Sequence, residues 1–238
     1  MLLKLSSVAG GYGRAQVLHD VSLEVGEGEV VALLGVNGSG KSSTLRTISG
    51  LLPVWSGEIL FDGAPMRRTP EARARAGLAH VPEGRGIFGS LSVRQNLRLG
   101  AVARRDEGKD MQADEDLLLH ALPVLRRKLS QPASSLSGGE QQMLAVARAL
   151  LARPRLVMID EMSFGLAPML VSELLQLVAR LREQLGTAFL LVEQDSAVLD
   201  IADRAYVLAG GAVHASGTAQ SFKESDRLVR AYLGSAKT

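Results

Sequence analysis

Residues 35–42 read Gly-Val-Asn-Gly-Ser-Gly-Lys-Ser and follow the pattern G-x-x-x-x-G-K-[ST], a loop whose backbone N–H groups wrap a polyphosphate. Gly35, Gly38 and Gly40 carry no Cβ, so the chain can take positive φ and bring its amides close to anionic oxygens. Lys41 offers a compact positive charge to the β- and γ-phosphates, and Val36, Asn37, Ser39 and Ser43 complete the stretch expected to cradle them. The Ser42 hydroxyl suits Mg²⁺, which keeps several waters and takes few protein ligands. Leu156-Val157-Met158-Ile159-Asp160-Glu161 is an apolar run that ends in two carboxylates. Asp160 can hold the metal's shell, and Glu161 can accept a proton from a water attacking the γ-phosphate. Alone, such an ending is also a common N-cap for a following helix. Leu136-Ser137-Gly138-Gly139-Glu140-Gln141-Gln142 precedes a run rich in Ala, Leu and Arg, so Ser137 can cap a helix whose glycines leave its amides bare. The chain therefore has two anion-binding helix ends, and one polyphosphate cannot fill both if they lie far apart.

The flanking residues supply the elements these groups need. Glu29–Leu34 is a β-branched, apolar stretch of the kind a buried parallel strand requires, and 43–49 has helical spacing with Gly50 placed to end it. Strand, glycine loop and helix follow in the required order. Segments 2–8, 17–25 and 57–61 alternate like strands of an antiparallel sheet around the loop. Buried-strand patterns recur at 78–81, 155–160 and 188–193, the last two flanking a helix from Met169 to Leu185 with Leu170, Leu174, Leu177, Val178 and Leu181 on one face. That is a β-α-β unit, and it predicts a parallel sheet. Between these strands the periods at 92–101, 111–122 and 138–152 are helical, with charged Arg104-Arg105-Asp106-Glu107 in a loop. The organisation expected is a single α/β domain spanning 1–238, with a core of 1–84 and 154–238 and an inserted helical subdomain at 85–153.

Composition narrows the function classes. With 27 Lys+Arg against 25 Asp+Glu the net charge is +2, so no strong field marks a binder of nucleic acid. Cysteine is absent, which excludes disulfides and thiolate metal sites and fits a reducing compartment. No apolar run approaches the ~20 residues of a membrane-spanning helix. The start, Met1 to Val8, is too short for a secretory segment and reads as a first strand, which predicts a cytosolic chain.

The phosphate loop, the Leu136–Gln142 heptad and the strand ending in Asp160-Glu161 together resemble the nucleotide-binding subunit of an ATP-binding-cassette (ABC) transporter, over essentially the whole chain. The resemblance implies a P-loop NTPase (RecA-like) core with an antiparallel β subdomain and an inserted helical subdomain. It also implies ATP and Mg²⁺ as ligands, and ATP hydrolysis coupled to transport. In that family the heptad closes over ATP held by a partner's phosphate loop. Ser137, Gly138 and Gly139 would then serve a second ATPase subunit, a copy or a paralogue, packed head to tail.

Other positions carry over with departures. Tyr12 matches the adenine-stacking aromatic and is expected in a glycine-flanked turn. Glu83, in Val81-Pro82-Glu83-Gly84-Arg85, stands where most members have the glutamine that touches Mg²⁺ or water. Gln194, in Leu191-Val192-Glu193-Gln194-Asp195, stands where most have the histidine that contacts the γ-phosphate; Met162 and Ala167 replace a usual proline and aspartate. Glutamine can hydrogen-bond a phosphate oxygen but cannot shuttle a proton, which leaves Glu161 as the leading base. The stretch Glu83–Leu99, with apolar Phe88 and Leu91, matches the surface that receives a cytoplasmic helix of the permease. The implied location is peripheral, on the inner face of the membrane through integral-membrane permease subunits. The strings Val-Pro-Glu-Gly-Arg, Gly-Leu-Ala-Pro (165–168) and Val-Glu-Gln-Asp, with the ending Arg230–Gly234, are similar to the second ATPase of branched-chain amino-acid uptake systems, whose close relatives serve urea and short amides.

Two rival classes share the phosphate loop. ABC-type ATPases of DNA repair and chromosome structure usually carry long coiled coils or zinc modules between the two motifs, whereas Lys41 and Ser137 here are joined by a modest insertion without heptads or cysteines. A P-loop kinase gives no reason for the 136–142 heptad.

Overall fold

The apolar run before the phosphate loop becomes a central strand buried on both faces. The computed structural model describes residues 1–104 and 110–224, so Arg105, Asp106, Glu107 and the Arg230–Gly234 ending lie outside the described residues. The first half of the chain forms β1 (Leu3–Tyr12), β2 (Ala15–Val25), β3 (Val30–Leu34), α1 (Lys41–Ser49), β4 (Val54–Phe61), β5 (Ala64–Pro65), α2 (Pro70–Arg75) and β6 (Leu78–Val81). A helical stretch follows: α3 (Val93–Leu99), a 3-10 turn at Gly100–Ala103, α4 (Met111–Ala121), α5 (Pro123–Arg127) and α6 (Gly138–Leu151). The chain then forms β7 (Leu156–Asp160), α7 (Pro168–Leu185), β8 (Ala188–Glu193), β9 (Arg204–Ala209), β10 (Ala212–Thr218) and α8 (Ala219–Glu224).

Two sheets result, one in the order β2-β1-β4-β5 and the other β10-β9-β3-β8-β7-β6. The first is antiparallel, and the second is parallel apart from the β9–β10 hairpin. Alternation with period 2 divides the large sheet between two cores. Val30, Ala32, Leu34, Val157, Ile159, Phe189 and Leu191 pack with Leu174, Leu177, Val178 and Leu181 of α7. Val31, Leu33, Leu156, Met158, Leu190 and Val192 face the other way, onto Leu45 and Ile48 of α1 and the antiparallel sheet. The helix that starts at Lys41 is thus clamped between two sheets.

The β-α-β unit, the antiparallel strands and the helical periods appear where the sequence predicts them. Four differences stand out. Tyr12 is the last residue of β1, because its backbone still pairs with Ala15 across a two-residue turn. The loop helix begins two residues early, at Lys41, since the glycine loop itself forms its entry. The 92–101 period breaks at Gly100, where a Cβ would lie 1.9 Å from the Arg148 carbonyl, so glycine lets the chain cross closely against α6. The strands β9 and β10 have no counterpart in the sequence reading; β9 pairs parallel to β3 and widens the sheet on the loop's far side. At the other end of α1, the buried guanidinium of Arg73 donates to the carbonyls of Thr47 and Ile48 at 2.6 and 2.7 Å and to that of Arg67 at 2.5 Å. These bonds tie the segment before α2 to the end of α1, where the Thr47 carbonyl also accepts the Gly50 amide at 3.1 Å.

Candidate active site

The strand order brings four C-terminal ends of the parallel strands together, and the phosphate loop, Glu83, Asp160, Glu161 and Gln194 sit on or beyond them. After β3 the loop turns tightly: a Cβ on Gly35 would lie 2.4 Å from the Leu208 carbonyl and 2.5 Å from Ser39 Oγ. Gly40, with φ 104°, enters α1 with no side-chain cap, so the helix end is left open to an anion. Lys41 is buried, and its Nζ donates to the carbonyls of Gly35 at 2.7 Å and Val36 at 3.1 Å. Ser39 Oγ is buried without a partner. An uncapped helix end, a cationic amine and an unpaired hydroxyl form a donor set suited to a polyphosphate. The cleft above them measures about 400 Å³ and is lined by Asn37, Gly38, Gly40, Lys41, Ser42 and Ser43, with Val17, Glu83, Glu161 and Phe164 closing its sides.

The carboxylates lie beside the loop because β7 is two strands from β3 with only β8 between them. Ser42 Oγ donates to Asp160 Oδ1 at 3.1 Å, which pairs two hard oxygen ligands. Burial raises the Asp160 pKa; the Ser42 hydrogen bond opposes the shift, and the charges of Glu161 and Glu83 add to it. Two hard oxygens side by side fit a cation such as Mg²⁺, which takes few protein ligands and completes its shell from phosphate and water. Glu161 takes a left-handed backbone, φ 47°. Its Oε1 lies 3.4 Å from Lys41 Nζ and accepts from Gln194 Nε2 at 3.0 Å. The structure therefore brings Lys41, Ser42, Asp160, Glu161 and Gln194 into one connected set, with Glu83 on the cleft wall.

Tyr12 is 43% exposed, and its hydroxyl accepts from Arg46 at 2.8 Å and lies 3.4 Å from Ser43 Oγ, which ties the ring to α1. Ser137, Gly138 and Gly139 are separate from this set, and none of the three lines the cleft. Ser137 N-caps α6 in a reciprocal box: its Oγ accepts from the Glu140 amide at 3.4 Å, and Glu140 Oε2 accepts from the Ser137 amide at 2.8 Å. Ser137 is exposed, while Gly139 is packed beneath Leu170.

Sequence reasoning missed two sets of residues here. Arg85 donates to Gln141 of the heptad at 2.9 Å, and Arg148 of α6 donates to the carbonyls of Gly86 and Arg85 while its guanidinium stacks 5.7 Å from the Phe88 ring. The Glu83–Phe88 segment is thereby strapped to α6. Phe88 itself is 53% exposed. The other omission is Glu193, 3% exposed, which accepts from the Ser163 hydroxyl at 2.5 Å and the Ser163 amide at 3.1 Å. A carboxylate closing an apolar run was the available signal.

A family model described as ABC transporter matches residues 18–163. The chain belongs to the ABC transporter family. BraG of Pseudomonas aeruginosa, a high-affinity branched-chain amino acid transport ATP-binding protein, is 39% identical over 234 residues, covering 98% of this chain and 100% of BraG. LptB of Escherichia coli K12, a lipopolysaccharide export system ATP-binding protein, is 34% identical over 237 residues, covering 98% of this chain and 97% of LptB. Among solved structures, cbiO1 of Clostridium perfringens, part of the ABC transporter complex cbiONQ, superposes with a TM-score of 0.84 at 27% identity, covering 97% of this chain and 93% of cbiO1. A bacterial ABC transporter cassette in dimeric form gives 0.80 at 26% identity, over 92% and 99%. The ABC cassette described here is accordingly an α/β P-loop protein that binds and hydrolyses ATP. Among its described residues no helix is long and apolar enough to cross a membrane.

Proposed function

We propose that the chain is the ATP-hydrolysing subunit of a branched-chain amino-acid importer, paired head to tail with a second cassette beneath separate permease subunits on the inner face of the membrane. The observation that carries the solute is the 39% identity to BraG across 98% of this chain. In this reading residues 85–153 are a helical subdomain inserted in a core of 1–84 and 154–238.

The chemistry assigns each residue a task. Amides of residues 35–43 and the Lys41 amine hold the phosphates, and the exposed Tyr12 ring stacks on adenine. Ser42 and Asp160, with Glu83 on the same cleft wall, would hold Mg²⁺, which when bound would neutralise charge on the phosphoryl oxygens. Lys41 and Gln194 both engage Glu161 Oε1, leaving Oε2 to take a proton from a water aligned with the γ-phosphorus. Gln194 can orient that carboxylate without changing its own charge. Since Ser137 to Gly139 lie outside the cleft, they complete the site of the facing cassette.

Replacing Glu161 with Gln tests the base directly. ATP affinity is expected within about threefold of wild type and turnover at least ~10²-fold lower, the size of a well-placed general base. Turnover near the wild-type rate would remove Glu161 from that role. Uptake of labelled leucine, isoleucine and valine by vesicles holding the cassette and its permease tests the solute; transport of none of the three would refute it.

A further inference from the structure

Three consecutive residues at the end of β8 hold the turn that carries Glu161. The Val192 carbonyl accepts the Glu161 amide at 2.9 Å. The Glu193 carboxylate takes both donors of Ser163, the hydroxyl at 2.5 Å and the amide at 3.1 Å. The Gln194 amide reaches Glu161 Oε1 at 3.0 Å. Only the last of these touches the hydrolytic carboxylate, so the other two fix the backbone beneath it.

That backbone needs fixing. Glu161 sits at φ 47°, a left-handed conformation that is unfavourable for a side-chain-bearing residue and persists only where its surroundings enforce it. The Phe164 amide closes the turn onto the Glu161 carbonyl at 3.2 Å, which places Ser163 inside the turn. A buried carboxylate with no cation among its hydrogen-bond partners is an expensive way to hold a serine.

We infer that Glu193 is a positioning residue for hydrolysis: through Ser163 it holds the Glu161 turn in its left-handed form, so that the carboxylate meets the attacking water in line. This inference rests on the assignment of Glu161 as the base. It makes Glu193 a determinant of turnover and leaves nucleotide binding to the loop of residues 35–43. Burial, together with the charges of Glu161 and Asp195, lifts its pKa to about 7 against the pull of the Ser163 bonds, consistent with a group placed for geometry.

ATP turnover by the full-length cassette with its permease tests the inference. Glu193→Ala is expected to lower kcat by about 10–100-fold, the scale of a displaced catalytic group, with KM for ATP within threefold. Glu193→Gln, which keeps an acceptor for the Ser163 amide, should recover at least half of the lost rate. Ser163→Ala should lower kcat similarly, and the double variant should be no slower than the slower single one, because both remove one link. A Glu193→Ala or Ser163→Ala protein turning over within twofold of wild type overturns the inference. So does a parallel loss of kcat, ATP affinity and thermal stability that Gln does not rescue. If Glu161→Gln hydrolyses normally, the base assignment falls and takes this inference with it. If Glu161→Gln is silent while Glu193→Ala is unimpaired, the positioning role alone fails.

Discussion

Substituting Glu193 with glutamine should change how the protein's stability depends on pH. The side chain is almost wholly buried, and its pKa is raised from the ordinary 4.5 to about 7, chiefly by burial, with Ser163 hydrogen bonds opposing and the charges of Glu161 and Asp195 assisting. A carboxyl group with a raised pKa stabilises the fold fully when neutral, below about 4.5, and that contribution is lost as pH rises through 7. Each pKa unit corresponds to about 1.4 kcal/mol, so between pH 5 and pH 8 the wild type loses roughly 2–3 kcal/mol that a permanently neutral glutamine keeps. At this chain length that corresponds to about 5–10 °C in Tm. Thermal unfolding of both proteins at pH 5, 6, 7 and 8 reads the difference, which cancels titrations common to the two. The gap between Glu193→Gln and wild type should widen in favour of the variant as pH rises. A gap constant within about 1 °C across that range would refute the reasoning, by showing that the carboxylate is solvated or paired well enough to ionise freely.

Two other perturbations probe the flanks of the site. Phe88→Asp should leave ATP affinity and Tm nearly unchanged, because the ring is half exposed, while cutting permease-stimulated ATPase and solute uptake by at least about tenfold through loss of an apolar docking contact; reduced nucleotide binding by the isolated variant would assign the ring to loop packing. Arg73→Ala removes the buried guanidinium that bonds α1 at Thr47 and Ile48, and should cost roughly 1–3 kcal/mol in denaturant unfolding, since the Ile48 carbonyl loses this donor while Thr47 keeps the Gly50 amide.

What could be read from the sequence was whatever is local along the chain. Lys41 and Ser42 are adjacent in a loop whose glycine spacing fixes its shape, and Asp160-Glu161 ends an apolar run of the kind a doubly buried strand requires. The contact of Ser42 with Asp160 follows once β7 and β3 share a sheet edge. Ser163 and Glu193 escaped notice because their meeting depends on the parallel register of β7 with β8, which pairs Asp160 with Val192 and so fixes which residues emerge side by side. Arg85 and Gln141 lie 56 residues apart on a loop and a helix, and no periodicity links them. The hairpin of β9 and β10 had a local sign in Gly210-Gly211, a two-residue turn between apolar runs; the parallel pairing of β9 with β3 had none. Tyr12 looked like a turn residue because of its glycine neighbours, although the turn lies one step further on.

The order β3-β8-β7-β6 has a consequence for how the two edges of the site are joined. Read across the sheet, it files the phosphate loop, then Gln194, then Asp160-Glu161, then Glu83, each about one strand spacing, ~4.8 Å, from the next. Glu83 opens the segment strapped to α6, on the side proposed to meet the permease. Glu83 also shares the cleft wall with Lys41 and Ser42, and His80 of β6 bonds Ser49 of α1 at 2.8 Å, so this edge touches the phosphate-loop helix directly as well as through β7 and β8. The permease-side edge therefore borders the nucleotide on one side and the hydrolytic carboxylates on the other, so a displacement there meets both the phosphates and the reacting group.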